Sequence, residues 1–292
     1  MHKVTKILLK ALSVTILFLI FCPIVLTVLV ELPSVQNFLV DRATSLLSKR
    51  LEARVEIDRI RLGALGSLRL DGFYVEDYQQ DTLLYVGRLK VYLSRFNGGQ
   101  GITLRNGSIT NAHLNIRETP EGEMNIKQVV DRLSRKEREK KGGFSLKVKD
   151  VYLQNINLIV EQHEHRNPGY GIDYNDMRFR NIEGVVANLA IVKGVVSCDL
   201  RGISTEEKSG FKLDAVDANL LVDKGQLHIK GLEAATEHSQ LSVSQLDLVG
   251  RDWATYKYFI DSVQMKLSTV GSIDKRRSDI TINRSKQSYE MQ

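Results

Sequence analysis

ITLRNGSITNAHLNIRE (Ile102–Glu118) is matched further along the chain by LKVKDVYLQNINLIVEQ (Leu146–Gln162). Aligned without gaps, their apolar positions coincide: Ile102 with Leu146, Leu104 with Val148, Ile109 with Leu153, Ala112 with Ile156, Leu114 with Leu158 and Ile116 with Val160. Asn106 and Asp150 match as turn residues, and Asn111 and Asn155 match outright. The period-two alternation is that of half-buried strands. Weaker copies are LRLDGFYVED (Leu68–Asp77), MRFRNIEGVVANLAI (Met177–Ile191), FKLDAVDANLLV (Phe211–Val222) and LDLVGRDWATYKYFI (Leu246–Ile260). Each copy reads as a strand, an Asn/Asp or Gly turn, and a returning strand. A repeated hairpin unit predicts a stacked, solenoid-like sheet; an ordinary antiparallel sandwich, in which hairpins also recur, stays open.

The same period runs upstream. Val55 and Ile57, then Ile60 and Leu62, alternate with Arg54, Glu56, Asp58 and Arg61, with a one-residue slip near Arg59 that predicts a bulge. Leu68, Leu70, Phe73 and Val75 follow, and then Tyr85, Leu89, Val91 and Leu93. Before them, residues 33–52 carry Val35, Phe38, Leu39, Arg42, Leu46 and Leu47 at helical spacing. This predicts a short amphipathic helix, lying just outside a bilayer or packed on the end of the sheet, with Pro33 ending the preceding segment and Ser34 as its cap. Still further upstream, Ala11–Val30 holds twenty residues without a charge, after Lys3, Lys6 and Lys10 and before Glu31. A helix of about that length crosses a ~30 Å hydrocarbon core, and the basic flank predicts a cytoplasmic N-terminus. A cleaved signal peptide is the alternative, disfavoured by the length of the run and the absence of a small-x-small site after it. Residues 1–32 are therefore expected to be cytoplasmic flank and membrane anchor, with the bulk of the chain exported.

Composition limits the rest. The 292 residues include four prolines, two cysteines and one tryptophan, with a net charge of +6. Cys22 falls in the apolar run and Cys198 stands alone, so no disulfide framework is expected. No basic stripe with interleaved aromatics suggests nucleic acid. Two inserts interrupt the strands. Ile126, Val129, Val130 and Leu133 predict a helix over 125–133, running into the charged linker 134–143, SRKEREKKGG. HEHRNPGYG (His163–Gly171) offers a His-x-His pair without further ligands nearby. Gly98-Gly99-Gln100-Gly101 precedes a strand and not a helix, so it fails as a phosphate cradle, and Asn106-Gly107-Ser108 is placed in a tight turn. There is no P-loop, nucleophile elbow or HExxH, and YQQDT between Asp77 and Asp81 has turn composition. No catalytic residue, metal site or cofactor is expected.

An anchor runs into LPSVQNFLVDRATSLLSKRLEARVEIDRIRL, then the G-x-x-V-E-D segment Gly72–Asp77, DTLLYVGRLKVYL (Asp81–Leu93), a strand pair and EGEMNIKQVVDRL (Glu121–Leu133). This order of segments resembles the N-terminal part of AsmA-like proteins, most closely the TamB proteins (translocation and assembly module) of Bacteroidetes-type bacteria, over about Lys3–Leu267. The resemblance implies a mainly β fold: an N-terminal transmembrane helix, then an elongated, repetitive antiparallel sheet curled into a groove with short helical inserts, over 53–267. It also implies an inner-membrane protein with its bulk in the periplasm, acting in outer-membrane biogenesis. The role would be β-barrel assembly and protein secretion with a TamA-like partner, or phospholipid transport along the groove. It offers no catalytic residue. Family chains are several times longer. Here the repeat is expected to stop near Leu267 and 268–292 to be an off-pattern polar tail, as in a truncated copy or gene fragment. About 14 strands at ~4.8 Å would build a groove of only ~65 Å.

Such a sheet would present an apolar inner face along which phospholipid acyl chains slide. Its candidate inward residues are Leu89, Val91, Leu93, Leu114, Ile116, Leu158, Val160, Leu213, Leu220 and Val222. The same residues would equally serve a closed, self-packed core. A structural tether, a non-functional fragment and a membrane-tethered enzyme are the other functional readings.

Overall fold

The computed structural model describes residues 32–63, 66–96, 101–127, 129, 132, 145–162, 171–223, 225–250 and 264–268. The anchor at Ala11–Val30, the linker 134–143, the His163-x-His165 pair and the tail beyond Ser268 lie outside these. Among the described residues no helix is long and apolar enough to cross a membrane.

The chain is mainly β. Among the described residues helix α1 (Pro33–Leu51) comes first, and Pro33 occupies its first turn with Leu32 at the N-cap. Proline fits there because the first-turn N–H needs no intrahelical partner; the expected Ser34 cap is not made. Strands β1 (Val55–Gly63), β2 (Ser67–Glu76), β3 (Thr82–Phe96), β4 (Gly101–Arg117), β5 (Ser145–Glu161), β6 (Asp176–Val192), β7 (Val195–Glu207), β8 (Lys212–Leu213), β9 (Ala215–Asp223), β10 (Gln226–Ala235), β11 (Gln240–Val249) and β12 (Gln264–Ser268) follow. All belong to one open sheet in chain order, with the two-residue β8 attached to β7 off the main path. Among the described residues eleven strands stand in line and span about 50 Å at ~4.8 Å each. No second sheet faces this one among the described residues, so the sandwich is excluded for them.

The hairpin reading of the repeat is corrected. Ile102–Glu118 and Leu146–Gln162 are not strand–turn–strand units; each lies almost entirely in one long strand, β4 or β5. Asn106-Gly107-Ser108 is likewise inside β4 and not in a turn. These two strands pair in parallel, the exception in an otherwise antiparallel sheet, and the repeat-matched residues are physical neighbours: Ile102 faces Leu146, Leu114 faces Leu158 and Ile116 faces Val160. Parallel neighbours need a crossover of a dozen or more residues, and 118–144 supplies it. Residues 125–127, 129 and 132 of the expected 125–133 helix are helical.

The supposed turn residues have another task. Asn111, Asn155 and Asn181 hold φ of 56°, 53° and 52° inside β4, β5 and β6, and Gly72, Gly202 and Gly231 do the same in β2, β7 and β10. Asn and Gly tolerate this left-handed conformation, which a turn and a one-residue bulge both require. The bulges lie side by side. Asp58 sits between the paired residues Ile57–Phe73 and Arg59–Asp71, opposite Gly72, where the alternation slips near Arg59; the β1–β2 register is unshifted across it. The Asp58 carboxylate fills the space a β-carbon at position 72 would take, 1.8 Å from it. The Asn155 amide donates to Asn111 Oδ1 at 2.8 Å, and the Gly202 N–H donates to Asp217 Oδ1 at 3.1 Å. Because neighbouring strands gain the extra residue together, pairing resumes on both sides of the line. The Asn111→Val variant should lose about 2–3 kcal/mol, since a β-branched residue resists positive φ. Asn111→Gly should lose no more than about 1 kcal/mol, the value of one exposed amide bond. Urea unfolding monitored by circular dichroism separates the two, and equal losses would contradict the bulge as the cause.

Candidate functional site

Residues directly opposite across paired strands present their side chains on the same face. Followed strand to strand, the registers join the apolar residues into rows. Ile102, Leu146, Ile191, Val196, Val222, Leu227 and Leu248 form one row over seven strands. Leu84, Leu114, Leu158 and Phe179 form another, and Leu70, Leu89, Ile109 and Leu153 a third. Cys198, Leu220, Ile229 and Leu246 continue on β7 to β11.

All ten candidate residues fall on this face. Leu89, Leu114, Leu158 and Leu220 are in the rows above, and Val222 pairs with Val196. Val91 pairs with Leu68 and Gly107, Leu93 with Leu104, Ile116 with Val160, and Leu213 with Thr205, two residues along β7 from Glu207. None of the ten is fully buried: nine are half-buried and Leu93 is 41 % exposed. The fully buried members of the face, such as Val86, Ala112, Val148 and Val243, lie between them. Sequence reasoning chose ten of these residues and missed most of the rest, because the bulges shift the alternation by one. Ile109 and Ala112 are on one face although their spacing is odd.

One end of the face is covered. Leu51 of α1 joins Val55, Val75 and Leu83 in a buried cluster, against which Ile126 and Val129 of the crossover pack. Asn125 fixes the crossover there at 3 % exposure. Its amide donates to Asp77 Oδ2 (2.9 Å) and to the Asn115 carbonyl (3.1 Å), and its Oδ1 accepts the Arg117 N–H (3.0 Å). Asp77 Oδ1 also accepts the N–H groups of Gln79 and Asp81, so the expected turn between them is an Asx turn. Sequence reasoning passed over Asn125 as an ordinary helix start.

Glu207 is the one charged residue met along these rows, opposite Phe179 and 1 % exposed. Burial alone would push its carboxyl up, but the N–H groups of Ser209, Arg178 and Lys208 outweigh that and hold it below the ordinary range. Burial acts the same way on Asp176 and is outweighed by Arg178 and Lys208, at 2.8 and 2.5 Å. At Asp71 the opposing groups are Arg69 and Arg88. These carboxyls titrate lower in the folded chain than in the unfolded one, so the stability they confer is complete above the unfolded values of 3.8–4.5 and lost as pH falls through the folded ones. Thermal melts should give a Tm that is flat from pH 7 to about 5 and falls steeply below about 4. Glu207→Gln should flatten part of that fall, because an amide no longer titrates.

Among the described residues no group of histidine, cysteine and carboxylate side chains could hold a metal ion. The cleft between α1 and β1, lined by Val40, Asp41, Thr44 and Glu56, brings no acid–base pair together. Cys198 is a free thiol on the apolar face whose pKa burial pushes up. No family model matches the chain, and no curated protein sequence does either.

Proposed function

We propose that this chain is an inner-membrane-anchored periplasmic protein of the TamB/AsmA-like type, whose sheet is an apolar trough carrying phospholipid acyl chains in outer-membrane biogenesis. The observation that carries the reading is the apolar face itself. Among the described residues it runs over successive strands, meets a charge only at Glu207 near one rim, and has half-buried residues without a covering sheet. Aligned bulges bend neighbouring strands together, as a trough would require. Acyl chains slide along such a surface because no directional polar contact fixes them. The anchor at Ala11–Val30 would hold the trough at its source membrane, and a TamA-like barrel would be its partner at the far one. No step of this role requires a catalytic group or cofactor.

A photocrosslinker at Leu114 and at Leu158, followed by lipid extraction, tests the trough. Phospholipid adducts at both positions are expected, and no adduct at either would leave a structural tether as the better reading. A periplasm-specific reporter fused after Glu118 should be active, and the mature protein should begin before Ala11; a protein starting after Val30 would refute the retained anchor.

A further inference from the structure

The face opposite the apolar one is unevenly charged. Near the Asp77 turn its cations are partnered: Arg54 with Glu56 and Glu76, Arg178 and Lys208 with Asp176. Toward the Lys193 turn, Arg69 with its Asp71 partner apart, they are not. Arg61, Arg69 and Lys90 stand directly opposite one another on β1, β2 and β3, and Arg95 and Lys147 share a further row through Thr103. Arg105 and Lys149 bulge out between the pairs Leu104–Val148 and Asn106–Asp150. Arg69 shares Asp71 with Arg88; Arg61, Arg95, Arg105, Lys147 and Lys149 have no acidic partner among the described residues, and Asp150 is the nearby acid not already engaged. Like charges placed directly across strands oppose folding, so this grouping is not explained by stability of the sheet. Two tyrosines accompany it: Tyr152, 51 % exposed, and Tyr92, whose ring carries the Lys90 ammonium 5.0 Å from its centroid.

We infer that this basic, tyrosine-bearing face docks against the headgroups of an anionic phospholipid bilayer. The cations are spread over five neighbouring strands, enough to meet several phosphates at once, and Lys, Arg and Tyr are the side chains that settle at a membrane–water interface. Docking on the polar face leaves the opposite, apolar face free, so the inference goes beyond the trough and does not depend on it.

The test holds the full chain in phosphatidylcholine nanodiscs and scores capture of added vesicles by flotation. Vesicles with about 30 per cent phosphatidylglycerol should be captured and pure phosphatidylcholine vesicles should not, and about 0.5 M salt should release them. The combined variant R95Q/R105Q/K147Q/K149Q should weaken capture about five-fold per cation removed. R95K/R105K/K147R/K149R, with charge kept, should retain it, and circular dichroism reports whether each variant is folded. Equal capture of neutral vesicles, or unchanged capture by the glutamine variant, would overturn the proposal. Heparin bound as tightly as the anionic vesicles would overturn the bilayer as occupant. Lipid adducts at Leu114 are unaffected by any of these results, so the two readings fail separately.

Discussion

Leu158→Asp should abolish function while leaving the fold in place. Leu158 lies between Leu114 and Phe179 in one apolar row, and it is half-buried with no covering sheet among the described residues. A carboxylate there keeps access to water, so the folded chain survives with a Tm lowered by a few degrees, about 1–2 kcal/mol. An acyl chain lying over it would have to strip that water. An isolated charge pressed into apolar surroundings costs several kcal/mol, which is more than a hundredfold in occupancy. Crosslinked lipid at Leu114 should fall accordingly, and outer-membrane integrity should be lost in cells carrying the variant. Leu114→Asp should behave alike, since the two residues are neighbours in the parallel pair. Asn115 and Asn157 would be poor controls although they lie on the polar face. Asn115 donates to the Thr82 carbonyl, and Asn157 bonds His113 and accepts the Asn181 N–H. Gln154, exposed on the same face of β5, is the control, and Gln154→Asp should change neither melting nor lipid adducts. Loss of the fold in Leu158→Asp would instead indicate a closed core, and intact lipid transfer would refute the trough.

Asn125→Ala should be the most destabilising single truncation in the crossover. It removes an amide that satisfies Asp77, the Asn115 carbonyl and the Arg117 N–H at one buried point. The Asp77 side chain, 7 % exposed, would lose its buried donor. Leaving such groups unpaired costs about 2–4 kcal/mol, or a Tm lower by about 10 °C for a domain of this size. Asn125→Asp should cost more at neutral pH, because it sets a second carboxylate beside Asp77. Ile126 and Val129 depend on the same anchor point for their packing on Leu51 and Val75, so the end of the apolar face should open. Faster hydrogen exchange at residues 118–127 would report that opening. A loss under about 0.5 kcal/mol would mean that the crossover is held by packing alone.

The sequence by itself determined a mainly β chain, the period-two alternation of its apolar residues and the helix at 33–51, because alternation and amphipathic spacing are local consequences of which side chains avoid water. It also determined that the two repeat copies correspond residue for residue, and that correspondence became the register of β4 against β5. Only the tertiary structure decided what Asn111 and Asn155 do. A left-handed Asn serves a hairpin turn and an in-strand bulge equally well, and the choice depends on whether the neighbouring strand carries a bulge at the same height. The parallel pairing, the role of Asn125 and the clustering of Arg61, Arg69 and Lys90 were likewise invisible along the chain. Each joins residues far apart in sequence, and their proximity is set by pairing and burial rather than by any local preference.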